Sequence, residues 1–353
     1  MPFDDRPFDD MPGGDKPFIE LDALEKTFTV RRKAGLLRRE KREVRAVDGI
    51  SFTVERGEMV GYIGPNGAGK STTIKMLTGI LTPSGGRLRV AGIDPSRERA
   101  RLARRIGVVF GQRTTLWWDL PLRDSYTLVH RMYRIPDDRY AANLARCVDL
   151  LDLGDLLDVP VRQLSLGQRM RGDIAAALLH DPDVLYLDEP TIGLDVVSKA
   201  KVRDFLRELN ASRGTTVLLT THDLTDIEQL CSRVMVIDHG RLMYDGELAG
   251  LHAVGESERL LVVDLERELP PVTDVPGARF VRAEGPRQWL AFPASASAAP
   301  LVAAVAAAYP LVDLSVREPD IEAVIAKMYG GVSEGASGEA SGGTPRAVRE
   351  SLR

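Results

Sequence analysis

Met59-Val60-Gly61-Tyr62-Ile63, running into Gly64-Pro65-Asn66-Gly67-Ala68-Gly69-Lys70-Ser71-Thr72, is an apolar run that breaks into glycines and then opens onto Ile74 and Leu77 at helical spacing. The pattern predicts a strand, a loop and a helix, and Gly64 to Ser71 fits the spacing of glycine, four residues, then Gly-Lys-Ser. Glycines let successive backbone N–H groups turn toward one anion, and the helix N-terminus adds a favourable dipole. Lys70 is placed to reach the β- and γ-phosphates of a nucleotide, and the Ser71 hydroxyl to ligate Mg2+. Gly64, Pro65, Asn66, Gly67, Ala68, Gly69, Lys70, Ser71 and Thr72 are therefore the candidate nucleotide-binding residues.

Working outward, further short apolar runs alternate with helical periods. They are Ile106–Phe110, Val184–Leu187, Val217–Leu219 and Val234–Ile237. Their β-branched, uninterrupted character predicts strands buried on both faces, as in a parallel sheet covered by helices. Asp238-His239-Gly240 followed by Arg241–Tyr244 reads as a closing hairpin. Between Leu122 and Gln168 the strand signal disappears. Tyr126, Val129, His130 and Tyr133, then Leu144, Val148 and Leu151, predict helices inserted in the α/β core. The run at 184–187 ends in Asp188-Glu189, which places two carboxylates at the carboxyl end of a core strand, where open α/β sheets bind ligands. Asp188 suits a metal shell, and Glu189 can polarise an attacking water. Together with the glycine loop these acids indicate a phosphate-loop nucleoside triphosphatase. Leu164-Ser165-Leu166-Gly167-Gln168 precedes a helical stretch and has the makings of a second anion-binding helix tip. Gln112 and His222 each follow a core strand, so both can converge on the γ-phosphate.

The chain of 353 residues is 44% hydrophobic and 28% charged, which excludes wholesale disorder. Its 47 basic and 51 acidic residues leave a net charge of -4, so a general polyanion-binding surface is not favoured. Cys147 and Cys231 form neither a metal spacing nor a disulfide framework, and fit a reducing interior. Residues 1–17, acidic and rich in Pro and Gly, read as a disordered tail rather than a secretory signal. Residues 31–45 carry eight basic side chains against Glu40 and Glu43. They read either as a solvated loop between two strands or as a contact with anionic headgroups or an acidic partner. The uncharged stretch Ala291–Val312 imitates a membrane span, but Pro293, Pro300 and Pro310 interrupt it, and it reads as a buried surface helix.

The order of these motifs resembles that of the ATP-binding cassette (ABC) family, specifically the nucleotide-binding subunit of a transporter. Gly64–Ser71 matches Walker A, Gln112 the Q-loop, Leu164–Gln168 the signature, Asp188-Glu189 Walker B, Gly193-Leu194-Asp195 the D-loop and His222 the H-loop. Phe28 matches the aromatic that stacks on adenine. Leu166 stands where the common signature has a second glycine. The resemblance implies an α/β phosphate-loop NTPase core with an antiparallel β subdomain and an inserted helical subdomain, spanning 18–250. A small α+β module at 256–330 and a disordered tail at 331–353 follow from the sequence pattern. In that module Leu260–Leu265, Arg279–Arg282 and Val312–Val316 read as strands, and Leu301–Ala308 and the stretch after Pro319 as helices.

The resemblance also implies a head-to-tail dimer, with a second copy or a similar chain as partner. ATP held by Lys70 and Ser71 of one subunit would be covered by Ser165, Gly167 and Gln168 of the other. Glu189 would be general base, His222 would hold the γ-phosphate and water, and Gln112 would contact Mg2+. Ser71 and Asp188 complete the implied metal set, and Asp195 would link the two sites. Val109–Arg113, Leu116–Pro121 and the run from Asp188 to Asp195 look most like single-cassette exporters of drugs, sodium or viologen type. That implies integral membrane permease partners, possible aromatic contacts from Trp117 and Trp118, and a peripheral place on the cytoplasmic face of the membrane. No nucleic-acid partner is expected. The other reading is a soluble cassette ATPase acting on nucleic acid or ribosomes. Such proteins usually carry two cassettes or long coiled coils, and this sequence has one phosphate loop and no sustained heptads.

Overall fold

A strand that reads as uninterrupted Val, Leu and Ile can satisfy its side chains only if both faces are covered, and the sheet order follows from that need. The computed structural model describes residues 17–33, 39–111, 113–221, 223–251, 258–293 and 295–317. The tails at 1–16 and 331–353, Gln112, His222 and the helix expected after Pro319 lie outside the described residues. The chain divides into two units, the first ending at Leu248 and the second beginning at Ala249.

In the first unit β1 (Ile19–Lys33) and β2 (Arg39–Val54) form an antiparallel hairpin. The next strand, β3 (Met59–Ile63), is buried throughout and leads into α1 (Lys70–Leu77). β4 (Gly85–Val90) returns to the hairpin and gives a three-stranded antiparallel sheet of order β2-β1-β4. After α2 (Arg99–Ala103), β5 (Ile106–Phe110) enters the central sheet. The helical insert comprises α3 (Leu122–Tyr133), α4 (Asp137–Leu150) and α5 (Leu166–Leu178). Then follow β6 (Val184–Asp188), α6 (Val196–Arg213), β7 (Thr216–Thr220), α7 (Leu224–Leu230), β8 (Arg233–Asp238) and β9 (Arg241–Glu247), and α8 (Leu248–Leu251) starts at the last residue of this unit. The six strands run in the order β5-β6-β7-β3-β8-β9, all parallel except the β8–β9 hairpin. Val184–Leu187 and Val217–Leu219 are fully buried, as the apolar runs require. Each such side chain taken from water contributes about 1.5 to 3 kcal/mol.

The basic stretch is corrected here. Residues 31–33 and 39–45 are strand, not loop, with Arg31 opposite Lys41 and Lys33 opposite Arg39. Charge density reports exposure and says nothing against pairing, because the ladder is made by the backbone.

The second unit is a four-stranded antiparallel sheet of β10 (Glu258–Leu265), β11 (Arg279–Glu284), β12 (Arg287–Pro293) and β13 (Leu311–Arg317), with α9 (Ala298–Ala308) before the last strand. The order is β11-β12-β10-β13. Leu261, Val263, Leu290 and Phe292 pack with Leu301 and Val305 of α9 in its core. The span-like stretch from Ala291 is thus the end of one strand, a short helix capped by Ser297 and the start of another strand, which corrects the single buried helix expected there. Among the described residues no helix is long and apolar enough to cross a membrane.

Candidate functional site

The phosphate loop leaves β3 at Ile63, and two of its glycines admit no side chain. A Cβ on Gly64 would lie 2.2 Å from the Ile237 carbonyl oxygen. One on Gly69, whose φ is 112°, would lie 2.5 Å from the Ala46 carbonyl oxygen. Both obstacles are backbone from β8 or β2, so they cannot yield. Lys70 opens α1 and reaches back across the loop, where its Nζ donates to the carbonyls of Gly64 (2.5 Å) and Pro65 (3.1 Å). Burial pushes the Lys70 pKa below the ordinary lysine value, opposed by the charges of Glu189 and Asp188. A partly desolvated ammonium in this position is suited to an incoming polyanion.

At the end of β6, Asp188 and Glu189 meet the loop from the other side. Ser71 Oγ donates to Asp188 Oδ2 at 3.4 Å, and Thr220 Oγ1 on β7 donates to Asp188 Oδ1 at 2.6 Å. A hydroxyl and a carboxylate facing one another, both hard oxygen donors, fit Mg2+. Glu189 is held in the left-handed region at φ 56°, with its N–H donating to the Thr220 carbonyl at 2.8 Å. A non-glycine residue there carries backbone strain of about 1 to 3 kcal/mol, the kind that surrounding structure must over-determine. Gly111 supplies part of that constraint. Its N–H donates to the Asp188 carbonyl at 2.7 Å, and a Cβ there would sit 2.3 Å from the Glu189 carbonyl oxygen. The loop and the two acids enclose a cavity of about 520 Å³, within the usual range for small-molecule sites. Pro65, Asn66, Gly67, Gly69, Lys70, Ser71, Thr72, Asp188 and Glu189 line it, with Lys75 and Arg113 adding positive charge. Gly64 and Ala68 shape the loop without lining the cavity.

The remaining sequence-derived residues are elsewhere. Phe28 is half-buried on β1 and outside the cavity lining, with the Lys26 ammonium 5.3 Å from its ring centroid. Ser165 caps α5: its Oγ accepts from the Gln168 N–H at 3.2 Å, while Gln168 Oε1 accepts from the Ser165 N–H at 2.8 Å. Asp195 caps α6, accepting from Ser198 N (2.9 Å) and Ser198 Oγ (2.7 Å), and those bonds hold its carboxyl below the usual range. The two helix tips pack together within the chain. A Cβ on Gly167 would lie 3.0 Å from Ser198 Oγ, and one on Gly193 (φ 68°) would lie 2.6 Å from the Leu166 side chain. Leu166 therefore occupies the space over Gly193. Ser165, Gly167, Gln168 and Asp195 do not line the cavity, and Gln112 and His222 fall outside the described residues.

Three supports were not visible in the sequence. Thr220 orients Asp188, as above. Asp173 on α5 accepts from Thr114 Oγ1 (3.0 Å), Thr115 N (2.8 Å) and Thr115 Oγ1 (3.0 Å), which ties the signature helix to the segment after Gln112. Asp226 on α7 accepts from Thr191 Oγ1 and pairs with Arg203 of α6 at 3.0 Å, which ties the helix after His222 to the segment after Glu189.

Residues 47–192 match the family model described as ABC transporter. A daunorubicin resistance ATP-binding protein of Streptomyces coeruleorubidus is 41% identical over 219 residues, covering 62% of this chain and 69% of its own length. The chain belongs to the ABC transporter family. It is an ATPase subunit of that family, and the matched stretch contains the glycine loop, the signature and both carboxylates. A Nod factor export ATP-binding protein of Paraburkholderia xenovorans is 42% identical over 212 residues, covering 60% of this chain and 69% of its own. Among solved structures, the dimeric post-hydrolysis state of an ATP-binding cassette bound to ADP and Pi aligns with a TM-score of 0.57 at 26% identity. It covers 65% of this chain and 98% of that one. The ABC transporter fold is thus common to the first unit and to that cassette.

Proposed function

We propose that this chain binds and hydrolyses ATP as one half of a head-to-tail cassette dimer, and so drives export through separate membrane permease chains from the cytoplasmic face of the membrane. One observation carries the dimer. Lys70, Ser71, Asp188 and Glu189 line one cavity, whereas Ser165 and Gly167, the other phosphate-binding candidates, are outside it. A site divided in this way is completed by a second subunit, in keeping with the dimeric cassette to which the chain is similar. Export is the reading favoured by relatives named for drug resistance and for Nod factor export.

In this reading the loop N–H groups and Lys70 hold the triphosphate, and Phe28 stacks on the adenine. Ser71 and Asp188 hold Mg2+, with Gln112 as a further ligand. When bound, the metal neutralises charge developing on the phosphate oxygens. Glu189 takes the proton from the attacking water as its oxygen bonds to the γ-phosphorus and the bond to the ADP oxygen breaks. His222 holds the γ-phosphate and water in place, and Asp195 communicates between the two sites. Ser165, Gly167 and Gln168 approach the γ-phosphate from the partner. In the single chain Gln168 Oε1 accepts from the Ser165 N–H, and it is the amide nitrogen, a donor, that suits the phosphate. Trp117 and Trp118 are exposed in the segment before the helical insert, the Arg169 guanidinium 5.2 Å from the Trp118 ring, and suit an aromatic contact with a permease.

The test is Glu189→Gln. It retains ATP binding, loses turnover and accumulates as a dimer on a sizing column in the presence of Mg2+ and ATP. Near-normal hydrolysis removes Glu189 as the base.

A further inference from the structure

β4 pairs with β1 only as far as Glu25, whereas the β1–β2 ladder continues to Lys33 opposite Arg39. Beyond the three-stranded sheet the hairpin therefore continues as a two-stranded ribbon. Its strand residues Arg31, Arg32, Lys33, Arg39, Lys41, Arg42 and Arg45 oppose only Glu40 and Glu43, although the chain as a whole is net negative at -4. Ribbon and remainder thus carry opposite charge.

Register sharpens the point. The ladder is irregular at Ala46, where the partners step from Lys26–Val47 to Thr27–Arg45, and it then runs without a further shift, so Arg45, Glu43 and Lys41 share one face of the ribbon. In the backbone ladder Arg31 is directly opposite Lys41, and Lys33 directly opposite Arg39. Like charges placed opposite one another destabilise a strand pair. Two such pairs in succession gain most from a continuous negative surface that lies against them. Residues 41–45 are all exposed, as are Val30 and Val44 (50% and 42%), so apolar side chains stand among the cations. Arg45 is engaged by a local acid, Asp48, at 3.2 Å. Paired like charges along an extended ribbon match a charged plane better than a single protein group.

We propose that this ribbon is a membrane-surface contact that binds anionic lipid headgroups. The net negative remainder of the chain is repelled by the same surface, so the contact also orients the subunit. The proposal is independent of the roles assigned to the ATP site.

The experiment is co-sedimentation of the full chain with vesicles of phosphatidylcholine alone or mixed with phosphatidylglycerol. A basic side chain at such a surface contributes roughly fivefold to partitioning, so Arg31→Gln, Arg39→Gln and Lys41→Gln together lower binding to the anionic vesicles by about a hundredfold. The parent binds the mixed vesicles, releases them as salt rises and binds phosphatidylcholine weakly. A control that removes equal charge at Arg99, Arg101 and Arg104, in and beside α2, keeps parental binding. The unfolding midpoint and Mg2+-dependent turnover of the ribbon variant stay at parental values, which separates loss of contact from loss of fold. Parental binding by the ribbon variant, equal binding of the parent to both vesicle types, or equal loss in the α2 control overturns the proposal. So does a ribbon variant that keeps its vesicles but loses its permease chains, because the ribbon is then a protein contact.

Discussion

Replacing Asp226 by alanine removes the acceptor at the centre of a buried polar cluster, and its cost can be worked from its neighbours. Asp226 is 0% exposed, and Arg203, at 12% side-chain exposure, pairs with it at 3.0 Å. The Arg203 Nε is buried and has no hydrogen-bond partner among the described residues, so the guanidinium depends on this carboxylate. Removing one member of a buried ion pair strands the other, at a cost of about 3 to 5 kcal/mol. In a unit of this size each kcal/mol moves the unfolding midpoint by about 2 to 4 °C, so Asp226→Ala lowers it by roughly 6 to 20 °C. Thr191 also loses its acceptor. Because Thr191 is two residues beyond Glu189, turnover falls by more than the unfolded fraction accounts for. The assay is thermal unfolding with a parallel measurement of ATP hydrolysis well below the midpoint. Converting the pair together, Arg203→Met with Asp226→Leu, recovers most of the lost stability because no charge is left unpaired. A single variant within about 2 °C of the parent, or a double variant no more stable than the single, refutes the reasoning.

Three further outcomes are expected. Ser165→Arg loses the cap on α5, about 1 kcal/mol, and blocks the approach of a partner's nucleotide. Equilibrium binding of a fluorescent ATP analogue to the single subunit is retained while hydrolysis is abolished, and unaffected hydrolysis ends the shared-site reading. Asp173→Ala strips the acceptor from Thr114 and Thr115 at a cost of about 1 to 3 kcal/mol and loosens the signature helix from the Q-loop segment. It lowers kcat without changing ATP affinity, because Lys70 and Ser71 are untouched. Burial pushes the thiol of Cys147 up to about 11 and that of Cys231 up to about 12. Neither reacts with a thiol reagent at about pH 8 in the native protein, and both react in denaturant. Native labelling at either site contradicts the burial.

What could be read from the sequence was whatever is contiguous in it. The glycine loop, the two acids and the five buried core strands each announce themselves within ten residues, because a strand covered on both faces has no polar positions to blur it. β12 carries Gln288, a residue type found mostly at the surface. In the fold it is fully buried, accepting from Val272 N at 2.8 Å and donating to the Leu269 and Pro270 carbonyls. The polar alternation that would place Gln288 outside is cancelled by a loop that arrives from sixteen residues away and satisfies it. The basic ribbon was misjudged as a loop for the opposite reason, since its backbone ladder is indifferent to what the side chains carry. The three supports behind the site share one property: Asp173, Thr220 and Asp226 bond partners far off in the chain, and nothing in their own neighbourhood marks them. Leu166 is the instructive case. It departs from the common signature pattern, and its side chain covers Gly193, a position where φ is 68°. A side chain introduced at Gly193 meets the end of the flexible Leu166 side chain, which can turn aside, so the cost of Gly193→Ala is set by the 68° φ. Adding Leu166→Gly therefore does not restore the parental unfolding midpoint, and a double variant as stable as the parent refutes the backbone reading.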